Sequence, residues 1–360
     1  MNRPEETILA IFAFVLGAIV GSFLNAVIHR LPRSISLHHP RRSFCPSCQR
    51  TLPWHENLPL VSYLFLRGKC AGCGARIPVR YWIVEAVTAG IFLWLWLAFR
   101  WELAVVYWIF TALLIAATFI DFEHFIIPDE ITWGGVGAGL AASLLVPELM
   151  GTASRGFALL NSLIGAAAGY CSLWAVVEAG KICFGRKKHA FAEPVPFRWE
   201  RHGETAAIEV EDERTEWEEI FSRRSDQLVL ECPEFAFDGQ PPGSGQLVFF
   251  HDRVRSGGVE TPLDGLQSIT GKVSQLVIPR EAMGFGDVKF LAAIGAFLGW
   301  PAVFFTIFAG SIAGCVFGVI VLLRAGRGGV RIPFGPYLAL GALLWLAGGR
   351  ELWDWYFQAF

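Results

Sequence analysis

Apolar residues run through this chain in long blocks, without the strict alternation of a half-buried strand or the single stripe of a soluble helix. A bilayer core takes about 20 apolar residues per helix. Eight blocks approach that length, at about 8–28, 81–99, 101–120, 131–147, 157–183, 286–300, 302–323 and 334–349. They predict an all-α polytopic membrane protein of about eight transmembrane helices. The first block follows Met1-Asn-Arg-Pro-Glu-Glu, which lacks the net positive start of a signal peptide, and no small-residue cleavage site precedes Ile28-His29-Arg30. It is expected to be a retained helix. Glycines four apart at Gly17 and Gly21, Gly135 and Gly139, and Gly165 and Gly169 predict close helix contacts in lipid.

Polar residues gather in two soluble segments. The predicted organisation is a first helix (1–30), a four-cysteine loop (31–80), helices two to five (81–184), a soluble insert (185–282) and helices six to eight (283–360). Within the insert, residues 200–219 hold nine Asp or Glu against two Arg. Runs such as Gln227-Leu-Val-Leu-Glu-Cys and Gly245-Gln-Leu-Val-Phe-Phe-His, set between Pro and Gly, predict a small β-rich domain. The alternative is a solvated loop, and neither reading states a function.

Composition agrees with this picture. Of 360 residues 54% are hydrophobic and 17% charged, and the mean hydropathy is +0.46. An ordinary soluble domain carries about 25% charged residues, so a soluble fold and a disordered chain are excluded. A formal charge of -2 leaves no global basic field for nucleic acid. Charge is nevertheless uneven across the predicted topology. Lys and Arg number eight in 31–80, three in 184–188 and three in 324–331, whereas the opposite connections carry only Arg3, Arg100, Arg155 and Arg350. The basic side is expected to face the cytoplasm, with both termini outside.

The cysteine loop contains Cys45-Pro-Ser-Cys48 and Cys70-Ala-Gly-Cys73. Two such pairs supply four thiolates, the closed tetrahedral shell of structural Zn²⁺, with no position left for a reacting water. Redox pairs or free thiols are the alternatives, and a reducing compartment fits either the metal or the free thiols. Cys171, Cys183, Cys232 and Cys315 are expected to be packing residues.

Two aspartates stand at the ends of apolar blocks, Asp121 in Ala117-Thr-Phe-Ile-Asp121 and Asp287 in Met283-Gly-Phe-Gly-Asp-Val-Lys. The predicted topology puts both on the cytoplasmic side at similar depth. Ionisable groups at such a depth are costly and are candidates for function. Two carboxyls facing each other would share a proton, one acting as base toward water and the other as acid toward a carbonyl. Taken singly, each is an ordinary helix-end residue, and Asp287 suits a helix N-terminus. Gly284 and Gly286 suggest unusual torsions or a close backbone approach beside Asp287. Asp129, in Ile126-Ile-Pro-Asp129, is a second-rank candidate or a plain helix start. His55 and Glu56 read as loop residues. Glu85 is expected to pair with Arg80 or to touch substrate.

Taken together, the motifs resemble those of the type IV prepilin peptidases, membrane aspartic peptidases with a Gly-x-Gly-Asp signature. The resemblance rests on Gly21-Ser-Phe-Leu-Asn-Ala-Val-Ile-His-Arg-Leu-Pro32, the cysteine pairs around Pro53-Trp-His-Glu-Asn-Leu-Pro-Leu-Val-Ser-Tyr63, Arg67-Gly-Lys-Cys70 and Arg80-Tyr-Trp-Ile-Val-Glu85. It continues through Asp121 to Asp129, Gly284 to Lys289, and Pro333-Phe-Gly-Pro336. It implies that Asp121 and Asp287 are the catalytic pair, with Gly284, Gly286, Asp129 and Lys289 supporting them. It also implies cleavage of basic leaders from prepilin or pseudopilin precursors at the cytoplasmic face. In many members N-methylation by S-adenosylmethionine follows, and the cysteine loop goes with those bifunctional forms. No Gly-rich nucleotide motif marks a site for that cofactor here.

The long insert departs from the family pattern. It is a candidate lid, a candidate contact for the pilus or secretion assembly, or neither. Two other activities share some of these features: another Gly-x-Gly-Asp intramembrane protease, and a proton- or cation-coupled transporter relaying charge through the two aspartates. The first needs no cysteine loop, and the second predicts acids near mid-membrane and an inverted repeat. A non-enzymatic assembly protein would have no need to keep both aspartates.

Overall fold

The computed structural model describes residues 4–37, 39, 43–45, 47–184, 186–202, 205–211, 213–221, 227–238, 242–279, 284–325 and 332–358. Arg3, Arg41, Arg42, Arg327 and Arg331, which enter the charge asymmetry, lie outside the described residues, as do Met283 and Glu204 and Asp212 of the acidic stretch.

In chain order the helices are α1 (Pro4–Arg30), α2 (Val61–Phe65), α3 (Val79–Ala98), α4 (Trp101–His124), α5 (Asp129–Leu145) and α6 (Arg155–Phe184). The insert follows with β1 (Arg186–His202), β2 (Thr205–Val210), β3 (Glu213–Glu216), α7 (Trp217–Ile220), β4 (Leu228–Phe237), β5 (Gly243–Phe249), β6 (Arg253–Ser256), β7 (Val259–Pro262) and β8 (Ser268–Pro279). The chain ends in α8 (Phe285–Leu298), α9 (Trp300–Ala325), α10 (Gly335–Leu344) and α11 (Arg350–Gln358). It divides into two compact units, Met1–Ala175 with Met283–Phe360, and Val176–Ala282.

Each of the eight apolar blocks falls on a helix. Five helices, α1, α3, α4, α6 and α9, are long and apolar enough to cross a membrane. The others are shorter than expected, since α5 has 17 residues, α8 has 14 and α10 has 10. At 1.5 Å per residue a 14-residue helix covers roughly 21 Å, less than the 30 Å hydrocarbon core.

In the helical unit α4 is the central helix, with 61% of its apolar window buried, whereas α9 is only 11% buried and turns most of its surface outward. Small residues set the packing. A Cβ on Gly21 would stand 2.7 Å from the Glu85 Cα, and one on Gly17 would stand 2.8 Å from the Ala89 Cα, so α1 and α3 touch through their backbones. Gly139 gives the same proximity between α5 and Ala296 of α8, at 2.8 Å. Gly165 and Gly169 of α6 face the carbonyls of Gly295 and Leu291 of α8. The Ser162 hydroxyl donates to the Ala296 carbonyl at 2.6 Å. Packed against both α5 and α6, α8 carries Asp287 in its first turn.

The insert is an eight-stranded antiparallel sheet in the order β3-β2-β1-β8-β4-β5-β6-β7. Its first and last strands pair centrally, with Arg186 opposite Pro279, so the chain enters and leaves it side by side. The β1–β8 register shifts between Ala190 and Val195, where Pro194 has no N–H for the ladder. Trp199, Leu230, Phe249, Ile269 and Val273 form the core of this unit.

Candidate active site

Asp121 lies in the last turn of α4, which Phe125 ends in a left-handed conformation (φ 55) while its N–H bonds the Asp121 carbonyl at 3.0 Å. The chain then runs extended to Pro128, the N-cap of α5. Asp287 lies in the first turn of α8, and its N–H donates to the Gly284 carbonyl at 3.2 Å. Both aspartates are buried, at 5% and 7% exposure, although each stands near a helix end.

The segment after α4 brings the two together. A Cβ on Gly286 would lie 3.2 Å from the Ile127 Cβ, and a Cβ on Gly335 would lie 3.0 Å from the Ile127 Cδ1 and 2.6 Å from Asp121 Oδ2. The Gly335 N–H, at the start of α10, donates to Asp121 Oδ2 at 3.0 Å. Asp287 in turn lies within electrostatic reach of the Asp121 carboxyl. Four elements, α4, the Ile127 segment, α8 and α10, thus converge on two carboxyls.

The glycines of the motif differ in their reasons. Gly286 is favoured by space, because an added Cβ would crowd Ile127, at 3.2 Å from its Cβ and 3.3 Å from its backbone N. Gly284 is not: its torsions (φ -63, ψ 137) suit any residue, and a Cβ would be in ordinary contact with Asp287 Oδ2 at 3.6 Å. The unusual torsions suggested by the Gly-x-Gly spacing are absent at both.

Lys289 Nζ meets Asp129 Oδ1 at 2.5 Å and lies 5.3 Å from the Phe285 ring centre. This ion pair ties the first turn of α5 to the first turn of α8. Asp129 also suits the positive end of its own helix.

The four cysteine thiols gather in one place, all Sγ atoms lying within 4.8 Å of one another. The two pairs have the same backbone. Cys45 N–H donates to the Arg50 carbonyl and Gln49 N–H to the Cys45 carbonyl, at 2.9 and 2.8 Å; Cys70 with Ala75 and Gly74 repeats this at 2.9 Å for both. Gln49 (φ 57) and Gly74 (φ 73) take the left-handed position that closes each turn. The backbone N–H groups of Cys48 and Ser47 hold the Cys45 thiol down to about 6, and those of Cys73 and Gly72 lower the Cys70 thiol. A tetrahedral shell with Zn–S near 2.3 Å needs sulfurs roughly 3.8 Å apart, and Cys45 and Cys73 stand at 3.9 Å. The residues fit a metal ion.

Glu85 does not pair with Arg80. It accepts the Leu60 N–H at 2.7 Å, holding a leucine with φ 62, while Arg80 pairs with Glu123. Glu56 pairs with Arg50 inside the cysteine loop, and His55 packs edge-on against Trp54.

Two family models match the chain. The Bacterial Peptidase A24 N-terminal domain covers residues 15–99, and the Type IV leader peptidase family covers 108–192 and 248–319. A "Prepilin leader peptidase/N-methyltransferase" of Dichelobacter nodosus is 34% identical over an aligned length of 209, covering 51% of this chain and 70% of that protein. The chain belongs to the type IV leader peptidase family. Relatives with the same name from Aeromonas hydrophila and Pseudomonas aeruginosa are each 29% identical over 378 residues, covering 96% of this chain and 93% and 92% of their own. No solved structure matches the chain.

In this leader peptidase the N-terminal family segment holds all four cysteines, and the peptidase segment holds both aspartates. Gly335 lies beyond either segment. Sequence reading assigned it no role, although Pro333-Phe-Gly-Pro336 stood out as a motif.

Proposed function

We propose that this type IV leader peptidase cuts the bond between a short basic leader and the transmembrane segment of a prepilin or pseudopilin, with Asp121 and Asp287 as the catalytic pair. The supporting observation is the convergence of two buried carboxyls on α4 and α8 around Ile127 and Gly335. Like charges this close favour a state with one proton between them. The ionised carboxyl draws a proton from a water, which attacks the scissile carbonyl, and the protonated one hydrogen-bonds to the carbonyl oxygen and later supplies the leaving amine. The Gly335 N–H orients Asp121 through one oxygen and leaves the other for water.

The reading places the enzyme in the inner membrane with both termini outside, the shorter α5, α8 and α10 completing eight membrane-embedded helices. The excess of Lys and Arg near the cysteine loop supports a cytoplasmic site, where a substrate with a positive leader presents its junction. Zn²⁺ is the proposed metal of Cys45, Cys48, Cys70 and Cys73, in a structural role. Methylation of the new N-terminus by S-adenosylmethionine is proposed from the relatives' shared name. Cleavage of a prepilin by the purified chain, compared with Asp121→Asn and Asp287→Asn, tests the pair.

A further inference from the structure

A cavity of about 330 Å3 opens at the end of the helical unit away from Asp121 and Asp287. That volume is in the range of small-ligand sites, about 300–1,000 Å3. Tyr107, on its wall, and Asp121 belong to opposite ends of α4, roughly 20 Å apart along the helix axis. The turn from Leu298 to Pro301 forms a second wall, so the cavity also meets the far end of α8, whose first turn carries Asp287. Arg350, Glu351 and Asp354 of α11 complete it.

Polar groups stand open inside. Tyr107 is 8% exposed, with Phe99 edge-on against its ring, yet its hydroxyl has no hydrogen-bond partner among the described residues. Buried hydroxyls are normally paired. Arg350 lies within electrostatic reach of this tyrosine. Its Nη2 would stand 3.3 Å from a Cβ on Gly151, which places the guanidinium over the turn after α5. Among the described residues Arg350, Glu351 and Asp354 form no ion pair, with one another or with any other side chain. One cation and two carboxylates thus share a cavity without neutralising each other.

The rest of α11 gives the depth of the site. Trp353 packs on Trp300 and Trp345, whereas Leu352, Trp355 and Tyr356 are more than half exposed. In a membrane protein, an amphipathic helix that shows Trp and Tyr on its outer face at the end of a bundle lies at the level of the lipid headgroups. The cavity it lines is at the same level. A phosphate there meets two hydrogen-bond donors, the Arg350 guanidinium and the Tyr107 hydroxyl. A primary ammonium beside it brings three N–H donors to Glu351 and Asp354. An anionic headgroup without an ammonium would face two unmatched carboxylates, and a trimethylated one has no N–H to give.

We propose that this cavity binds the headgroup of phosphatidylethanolamine, its phosphate on Arg350 and Tyr107 and its ammonium between Glu351 and Asp354. The site is separate from the aspartates and the cysteine loop, and it holds whichever reaction they carry out. A bound headgroup joins α11 to the far ends of α4 and α8, the two helices that carry Asp121 and Asp287.

The test is native mass spectrometry of the full chain in detergent, titrated with phosphatidylethanolamine, phosphatidylglycerol and phosphatidylcholine of the same acyl chains. Wild type should take up one phosphatidylethanolamine about tenfold more tightly than either other lipid. Arg350→Gln should bind it about tenfold more weakly, the loss of one charged hydrogen bond. Glu351→Gln combined with Asp354→Asn should erase the preference over phosphatidylglycerol. All three side chains are exposed, so the variants should melt as wild type does, which a thermal scan checks. If Arg350→Gln melts early, the acidic double variant decides. Equal uptake of the three lipids by wild type overturns the inference, since lipid then coats the chain without a site. Unchanged affinities in the folded variants overturn it too, and so does displacement of the lipid by equimolar inorganic phosphate, which would make the occupant a free anion. Prepilin cleavage plays no part in the readout, so neither result bears on the peptidase reading.

Discussion

Asp121 accepts a hydrogen bond at 3.0 Å from the backbone N–H of Gly335, a residue 214 positions further along the chain. A Cβ at Gly335 would stand 2.6 Å from the same carboxylate oxygen. The contact is too close for any side chain, although alanine is the better helix former. Gly335→Ala should therefore slow cleavage by about a hundredfold through misplacement of Asp121. The effect should appear in kcat with KM nearly unchanged, as measured with a purified prepilin. Wild-type kcat in this variant would show that the bond to Asp121 does not matter.

The Lys289–Asp129 pair links α5 to α8 two residues from Asp287. With Asp129 62% exposed, the pair is worth no more than about 1 kcal/mol in stability. Its influence on catalysis should be larger than on folding. Asp129→Asn and Lys289→Met should each slow cleavage about fivefold, and the double variant should be no slower than either single one. Multiplying losses in the double variant would mean that the two residues act separately.

The helical plan of this protein is written openly in its sequence, because lipid demands long apolar blocks and each block falls on a helix. Their lengths are less legible. Protein neighbours replace lipid contact along most of α8 and α10, and a block does not record where its helix stops. The aspartates were visible as candidates because a carboxyl at the end of an apolar block is conspicuous. Gly335 was not, because Pro333-Phe-Gly-Pro336 reads equally well as a plain helix start, and its partner is known only once α10 packs on α4. The cysteine spacing predicted one thiol cluster, since a Cys-x-x-Cys turn has few conformations. Glu85 went unpredicted in detail: its partner is the N–H of Leu60, and a backbone donor leaves no mark in a sequence. The sheet was legible as short apolar runs, but not its order, which depends on β1 pairing with β8 across the whole insert.

The cysteine site should hold one zinc per chain by elemental analysis, and Cys48→Ser or Cys73→Ser should lower that content. Zinc binding free energy becomes folding free energy for such a loop, on the order of 10 kcal/mol. Metal removal should therefore open the loop to trypsin at Arg50, Arg67 and Lys69 while the helices stay intact. A loop equally resistant with and without metal would contradict a structural site.

Asp238, at the end of β4, accepts the N–H groups of Gln267 and Ser268 and the Ser268 hydroxyl, each at 2.7 Å. The Ser268 hydroxyl and N–H, followed by the Gln267 N–H, hold its carboxyl below the usual range. A depressed carboxyl stabilises the fold above its unfolded pKa, near 3.9, and that contribution is lost as pH falls through the lower folded value. The melting transition of the insert should shift down as the pH is lowered below about 4. Asp238→Asn should have a lower melting temperature at pH 7 and a weaker pH dependence. An identical acid profile in the variant would place the acid sensitivity elsewhere.

The central claim is that Asp121 and Asp287 form one catalytic unit. The most direct measurement is single-turnover cleavage of a purified prepilin by wild type, Asp121→Asn, Asp287→Asn and the double variant, with product read by mass spectrometry. Each single variant should lose at least about a thousandfold in rate, and the double variant should lose no more than either, since residues acting as a unit do not contribute additively. A single variant that still cuts at a rate near wild type would contradict the account.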